Sequence, residues 1–213
     1  MRILTLELGR TTRIALLIGI NAGLLAVIGA AFCWQDWQYS LPTPRPDGFV
    51  QASMGSSPEL PPDLAALRHP GRPLLVHFAS SACPCTQFNL DHVRKLSQVF
   101  GEDVDFVVVL DSRPEVAARD FENLHLRMPV LIDPEGRVGA ALGVYGTPQA
   151  ALLDSSGRLF YRGNYNSSRY CQEESTEFVR IALTALAAHR PLPAMPKEAF
   201  LTYGCPLRTR AGS

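Results

Sequence analysis

The chain carries no excess of either charge. Twenty Lys and Arg stand against 20 Asp and Glu, so the net charge at neutral pH is zero. Nucleic-acid binders usually gather basic residues into a patch, so that class has no electrostatic support and no nucleic acid is expected as a partner. There is no internal repeat, and no low-complexity tract beyond short proline-rich stretches. Charge is also missing locally. From Ile14 to Cys33 runs "IALLIGINAGLLAVIGAAFC", 20 residues with one Asn and no charged side chain. After it, Lys and Arg are absent until Arg45. Cysteine is scarce, five in 213 residues, yet two of the five flank a single proline in "HFASSACPCTQF", residues 77–88.

Apolar residues make up 46% of the chain and charged residues 19%, enough to build a packed core in one ordinary domain plus extra segments. Prolines number 17 and concentrate in "LPTPRPDG", "PELPPD" and "RPLPAMPKE". The first two read as linker, the third as an ordered or extended tail.

The uncharged run matches a membrane span, because a 20-residue helix is about 30 Å long, the thickness of the hydrocarbon layer. Arg2, Arg10 and Arg13 precede it, and Trp34, Trp37 and Tyr39 follow where an interfacial aromatic belt lies. The positive-inside rule then leaves residues 1–13 in the cytoplasm, 14–33 in the bilayer, and the rest beyond it. This predicts a single-pass protein of the bacterial inner membrane with its C-terminal domain in the periplasm. The competing reading is a cleaved signal peptide, with Gly29-Ala30-Ala31 as small residues at the cut, but the apolar run exceeds the usual core of such peptides. An uncleaved anchor leaves Cys33 inert at the membrane boundary. In an oxidising compartment disulfides persist, which raises the importance of every later cysteine.

Residues 34–71 read as the proline-rich linker, 72–190 as the domain and 191–213 as a tail. "RPLLVHFAS" is a nearly continuous apolar run, a buried strand. "TQFNLDHVRKLSQVFG" places Phe88, Val93, Leu96 and Phe100 at near-helical spacing before Gly101. "VDFVVVLD" is a second buried strand, and "PEVAARDFENL" a helix with Pro114 at its start. "MPVLIDPEGRVGAALGV" gives a short extended piece, a turn and a short helix. "TPQAALLDSSGRLFYRG" is a hairpin around Ser-Ser-Gly, and "ESTEFVRIALTALAAH" a last amphipathic helix. The order predicts an α/β fold with a mixed central sheet flanked by helices.

That order, with cysteines where the first core strand runs into a helix, resembles the thioredoxin-like superfamily over residues 72–190. "LLVHFASSACPC" is similar to the family's strand and redox cysteines. "GVYGTPQAALLDSSGRLFYRG" is similar to the stretch with a cis Thr-Pro bond followed by a hairpin. "VLIDPEGRVGAALGVYGTP" and the tail ending "TYGCPL" resemble membrane-anchored bacterial redoxins. The family separates its two cysteines by two residues. Here only Pro84 stands between them, so the motif is atypical.

The resemblance implies a thiol–disulfide oxidoreductase that needs no cofactor. Its partners would be periplasmic protein thiols or disulfides, with a membrane electron donor as a further partner. Cys83, at the start of a helix whose N–H groups favour a thiolate, is the expected nucleophile, and Cys85 would close the disulfide. Pro148 would be the cis proline against the cysteines, and Thr147 would offer backbone hydrogen bonds to a substrate peptide. His77 stands six residues before Cys83, where thioredoxins place a buried acid. It either moves protons for the second cysteine or is a hydrogen-bonded core residue. Cys171 and Cys205 either form a structural disulfide that ties down the tail, or one of them resolves a mixed disulfide at Cys83.

Two other functions compete. A copper chaperone would use soft thiolates for Cu(I), but its wider cysteine spacing and distal His are not evident, so no metal site is expected. A peroxidase would resemble the peroxiredoxins, whose Thr three positions before the reactive Cys is Ser80 here and whose Pro is missing.

Overall fold

The computed structural model describes residues 9–167 and 173–208. They fall into two units, one ending at Leu41 and the other beginning at Pro42.

The first unit is one helix, α1 (Arg10–Ser40), long and apolar enough to cross a membrane. It stops at Leu41, which is extended, as a residue before proline tends to be.

The second unit contains, in chain order, α2 (Pro62–Ala65), β1 (Leu74–Ala79), α3 (Pro84–Phe100), β2 (Asp105–Leu110), α4 (Ala117–Glu122) and β3 (Val130–Ile132). Then come α5 (Arg137–Leu142), β4 (Gly146–Thr147), β5 (Gln149–Leu153), β6 (Leu159–Gly163), α6 (Phe178–Ala187) and β7 (Cys205–Pro206). Five strands form one sheet in the order β3-β2-β1-β5-β6, while β4 and β7 pair separately. The β1, β2 and β3 strands run parallel, whereas β5 is antiparallel to β1 and β6 to β5. This mixed sheet with its helices is a thioredoxin-like fold.

The sheet is buried on both faces, which is why β1 reads as an apolar run rather than an alternation. Leu75 and Ala79 point into one core with Leu90, Val93 and Leu96 of α3 and Phe178, Val179 and Leu183 of α6. Leu74, Val76 and Phe78 point into a second core with Leu64, Val138 and Leu142. Leu64 lies in a proline-rich stretch, yet it is fully buried. Residues 42–71 therefore include packed structure. Gly55 N–H donates to the Leu159 carbonyl at 2.7 Å and Thr43 N–H to the Thr202 carbonyl at 2.7 Å.

In α3 the buried positions are Cys85, Thr86, Asn89, Leu90, His92, Val93 and Leu96. Phe88, expected on that face, is exposed instead. The buried arc is centred on 86, 89, 93 and 96, and at about 100° per residue position 88 lies beyond its edge, past Cys85 and His92.

Candidate active site

Strand direction brings the site together. Because β5 runs antiparallel to β1, the start of β5 meets the end of β1, with Phe78 opposite Gln149. The loop after β1 carries Cys83, and the residues before β5 are Thr147 and Pro148. Two segments 64 positions apart thus converge at one end of the sheet. Cys83 Sγ lies 3.5 Å from the Thr147 carbonyl oxygen. The Thr147–Pro148 peptide bond is cis.

Cys83 is the N-cap residue of α3 and has extended backbone, with Pro84 in the first turn. Proline suits that place because its missing N–H would have had no helical partner. The remaining first-turn N–H groups and the helix dipole favour negative charge on a sulfur there. Cys85 follows within the same turn and is buried.

A chain of hydrogen bonds ties this corner to the cis-proline segment. Thr147 Oγ1 donates to the Phe78 carbonyl at 2.9 Å. Its proton being used there, Thr147 accepts from Thr86 Oγ1 at 3.3 Å. Thr86 Oγ1 in turn accepts from the Ser80 N–H at 3.3 Å. Strand end, helix start and cis-proline segment are thereby fixed to one another by two buried hydroxyls. The sequence signal for Thr86 is only its place as third residue of the helix that opens at Cys83-Pro84-Cys85.

Cys83 is bonded to Cys205, 122 residues away, with the Cα atoms 6.0 Å apart. Cys205 had been expected with Cys171, as a structural tie, or else as a resolving partner of Cys83. Cys171 lies outside the described residues, and the bond to Cys83 replaces the first pairing in this structure. Cys33 and Cys85 remain thiols. The physical reason is register: β7 pairs antiparallel with β4, which sets Cys205 directly opposite Thr147 and so beside Cys83.

His77 is fully buried in β1, and its Nδ1 lies 2.8 Å from the Tyr165 hydroxyl. Burial pushes the imidazole down to about 3, so it is neutral at physiological pH. Its Nε2 is buried with no hydrogen-bond partner among the described residues. Tyr165 also stacks edge-on against His92, which faces Glu177 at 3.4 Å. Burial holds His92 below its ordinary range despite that carboxylate. Tyr165, His92 and Glu177 were not anticipated from sequence; their proximity depends on how α3 and α6 pack on the sheet. Among the described residues no cluster of three or more His, Cys, Asp or Glu is placed to hold a metal ion.

Residues 53–206 match the family described as Domain of unknown function (DUF6436), and the chain belongs to that family. No curated protein matches the chain. Among solved structures, a hypothetical protein from Sinorhizobium meliloti 1021 is 21% identical, with a TM-score of 0.63 over 76% of this chain and 98% of that one. An uncharacterized conserved protein from Geobacillus kaustophilus is also 21% identical, with a TM-score of 0.60 over 78% and 97%. The thioredoxin domain of a thiol-disulfide oxidoreductase from Bacteroides vulgatus is 16% identical, with a TM-score of 0.46 over 56% and 94%. The first two share this fold across nearly their whole length.

Proposed function

We propose that this chain is a thiol–disulfide oxidoreductase, anchored in the bacterial inner membrane by α1, with its C-terminal domain exchanging disulfides with protein thiols in the periplasm. The observation that carries the reading is the position of Cys83. Its sulfur stands at the head of a 17-residue helix, 3.5 Å from the carbonyl before cis-Pro148, and is already engaged in a disulfide.

In the reducing direction, the Cys83 thiolate attacks one sulfur of a substrate disulfide. The other substrate sulfur leaves as a thiolate, and a Cys83–substrate mixed disulfide remains. A second cysteine of the chain then attacks Cys83, releases the substrate thiol and leaves an internal disulfide. Among the described residues, two cysteines lie close enough for that step. Cys205 makes the bond seen here, and Cys85 is two positions along the chain. Thr147 and Pro148 shape the surface against which the substrate backbone lies. His77, neutral and buried beneath the sheet end, supports the core near this corner; no hydrogen bond links it to either sulfur among the described residues.

Insulin reduction with dithiothreitol as electron source tests the assignment. The Cys83→Ser chain should lose at least 100-fold of the rate above background. An unchanged rate would remove Cys83 as the nucleophile.

A further inference from the structure

Cys83 is 1% exposed, so a substrate sulfur reaches it only after something moves. The covering segment is the chain's own tail. Thr202 Oγ1 donates to Gln149 Oε1 at 3.3 Å, Leu207 N–H donates to the Tyr145 carbonyl at 2.9 Å, and Arg208 pairs with Asp111 at 3.3 Å. From the other side Thr43 Oγ1 donates to the Gly204 carbonyl at 3.0 Å. Among the described residues, 205–206 form the one strand paired with β4, with Thr147 opposite Cys205 and Gly146 opposite Pro206.

We infer that the Gly146–Thr147 edge is a binding site for an extended polypeptide carrying the dipeptide Gly-Cys, and that Gly204-Cys205 is the chain's own copy of that ligand. This rests on the reading of Cys83 as an exchange centre and names the substrate class that reaches it.

The register carries the argument. Whatever residue stands opposite Thr147 has its side chain at Cys83, because Thr147 itself lies 3.5 Å from that sulfur. A strand added to an exposed edge takes its affinity from main-chain hydrogen bonds and its selectivity from the side chains that fit. Here the residue preceding the cysteine is under the tightest constraint. Gly204 has φ +101, a conformation other residues rarely adopt. A Cβ there would overlap the Thr147 carbonyl oxygen and lie 3.4 Å from Pro148 Cδ. The edge therefore excludes any side chain before the reactive cysteine. Two residues beyond it, Leu207 packs against the second core, and Arg208 reaches Asp111. The preferred ligand reads Gly-Cys, one residue, an apolar residue, then a basic one.

The exchange balances without an outside oxidant. A ligand thiolate attacks Cys83 Sγ, the Cys83–Cys205 bond breaks, and Cys205 leaves as a thiolate that takes up the proton the ligand thiol gave. One disulfide is lost and one is formed.

The test uses the full chain in detergent, reduced, with Cys205→Ser so that the tail forms no disulfide with Cys83; its remaining contacts slow both peptides alike and leave their ratio unchanged. The probe is the peptide of residues 202–208 with its cysteine activated as a thionitrobenzoate disulfide. Release of coloured thionitrobenzoate is followed, and the rate of a Cys83→Ser/Cys205→Ser chain is subtracted. A second peptide carries Ala in place of Gly before the cysteine. The Gly peptide should react at least fivefold faster, and any smaller ratio overturns the inference. If Cys83 reacts with free dithionitrobenzoate but does not discriminate between the peptides, only the Gly-Cys site fails. If it reacts with neither reagent nor peptide, the exchange reading fails with it. Independently, Gly204→Ala in the otherwise natural chain should leave Cys205 open to alkylation in oxidising buffer in most molecules. Protection equal to that of the natural chain would also overturn the inference.

Discussion

The hydroxyls of Thr86 and Thr147 meet 3.3 Å apart inside the protein, joining the first turn of α3 to the residue before cis-Pro148. This contact holds the helix headed by Cys83 and the Thr147–Pro148 segment at a fixed distance. Removing the hydroxyl while keeping the volume leaves the buried Ser80 N–H without its acceptor and deprives Thr147 of its donor. Such losses cost about 1–3 kcal/mol. Thr86→Val should lower unfolding stability by that amount, followed in urea by circular dichroism, with Thr86→Ser close to the natural chain. A Val variant as stable as the natural one would show that the contact contributes nothing.

Among the described residues Cys83 has two candidate partners, Cys205 and Cys85, and removing one exposes the other. In the Cys205→Ser chain under oxidising buffer, Cys83 should pair with Cys85, protecting both from iodoacetamide and lowering the intact mass by two hydrogens. Pro84 as the sole intervening residue keeps the Cα atoms within the span that disulfides bridge once the turn adjusts. Peptide mapping that finds both thiols alkylated would remove Cys85 as a resolving cysteine.

Acid should destabilise the domain through His77. Unfolded, the imidazole binds a proton near pH ~6.5. Folded, burial holds it down to about 3. Between those values the unfolded chain binds more protons, so stability is full above the upper one and falls as pH drops, by up to about 1.4 kcal/mol per pH unit. His92, also held low by burial, acts in the same sense. Urea unfolding between pH 6.5 and 4.5 should show a shallower slope for His77→Gln than for the natural chain. Equal slopes would mean that His77 does not stay neutral in the fold.

The helix from Arg10 to Ser40 should hold the intact chain in the membrane. Apolar residues such as Leu25 and Phe32 lie about 70% exposed on it, which water does not favour. Carbonate-washed membranes should retain the full-length chain, and protease added to spheroplasts should digest the C-terminal domain. A soluble species that has lost about its first 30 residues would identify the helix as a signal peptide.

Much of the fold was legible because it is written locally. β1 and β2 are almost wholly apolar, broken only by His77 and Asp105, since both sheet faces are covered, and the hairpin turn is marked where Asp154 accepts hydrogen bonds from Ser156 and Arg158 around Gly157. The same holds for half of the site, where Cys83 and Pro84 sit at a strand-to-helix junction and Thr147-Pro148 before a hairpin. Phe88 is the instructive miss, because at about 100° per residue it lies well round the helix from the arc centred on Thr86, Asn89, Val93 and Leu96, although its apolar side chain suggested that face.

The sequence by itself determined the apolar N-terminal helix, the mixed sheet, and the placing of a cysteine at the head of α3. Periodicity, turn chemistry and proline position act over a few residues and survive any change of context. Only the tertiary structure decided which sulfur Cys83 meets. That choice depends on the β4–β7 register, which brings Cys205 across 122 residues to lie opposite Thr147, and on Gly204, where a side chain would meet the Thr147 carbonyl. Contacts of that kind arise from packing between distant segments, and no local pattern encodes them.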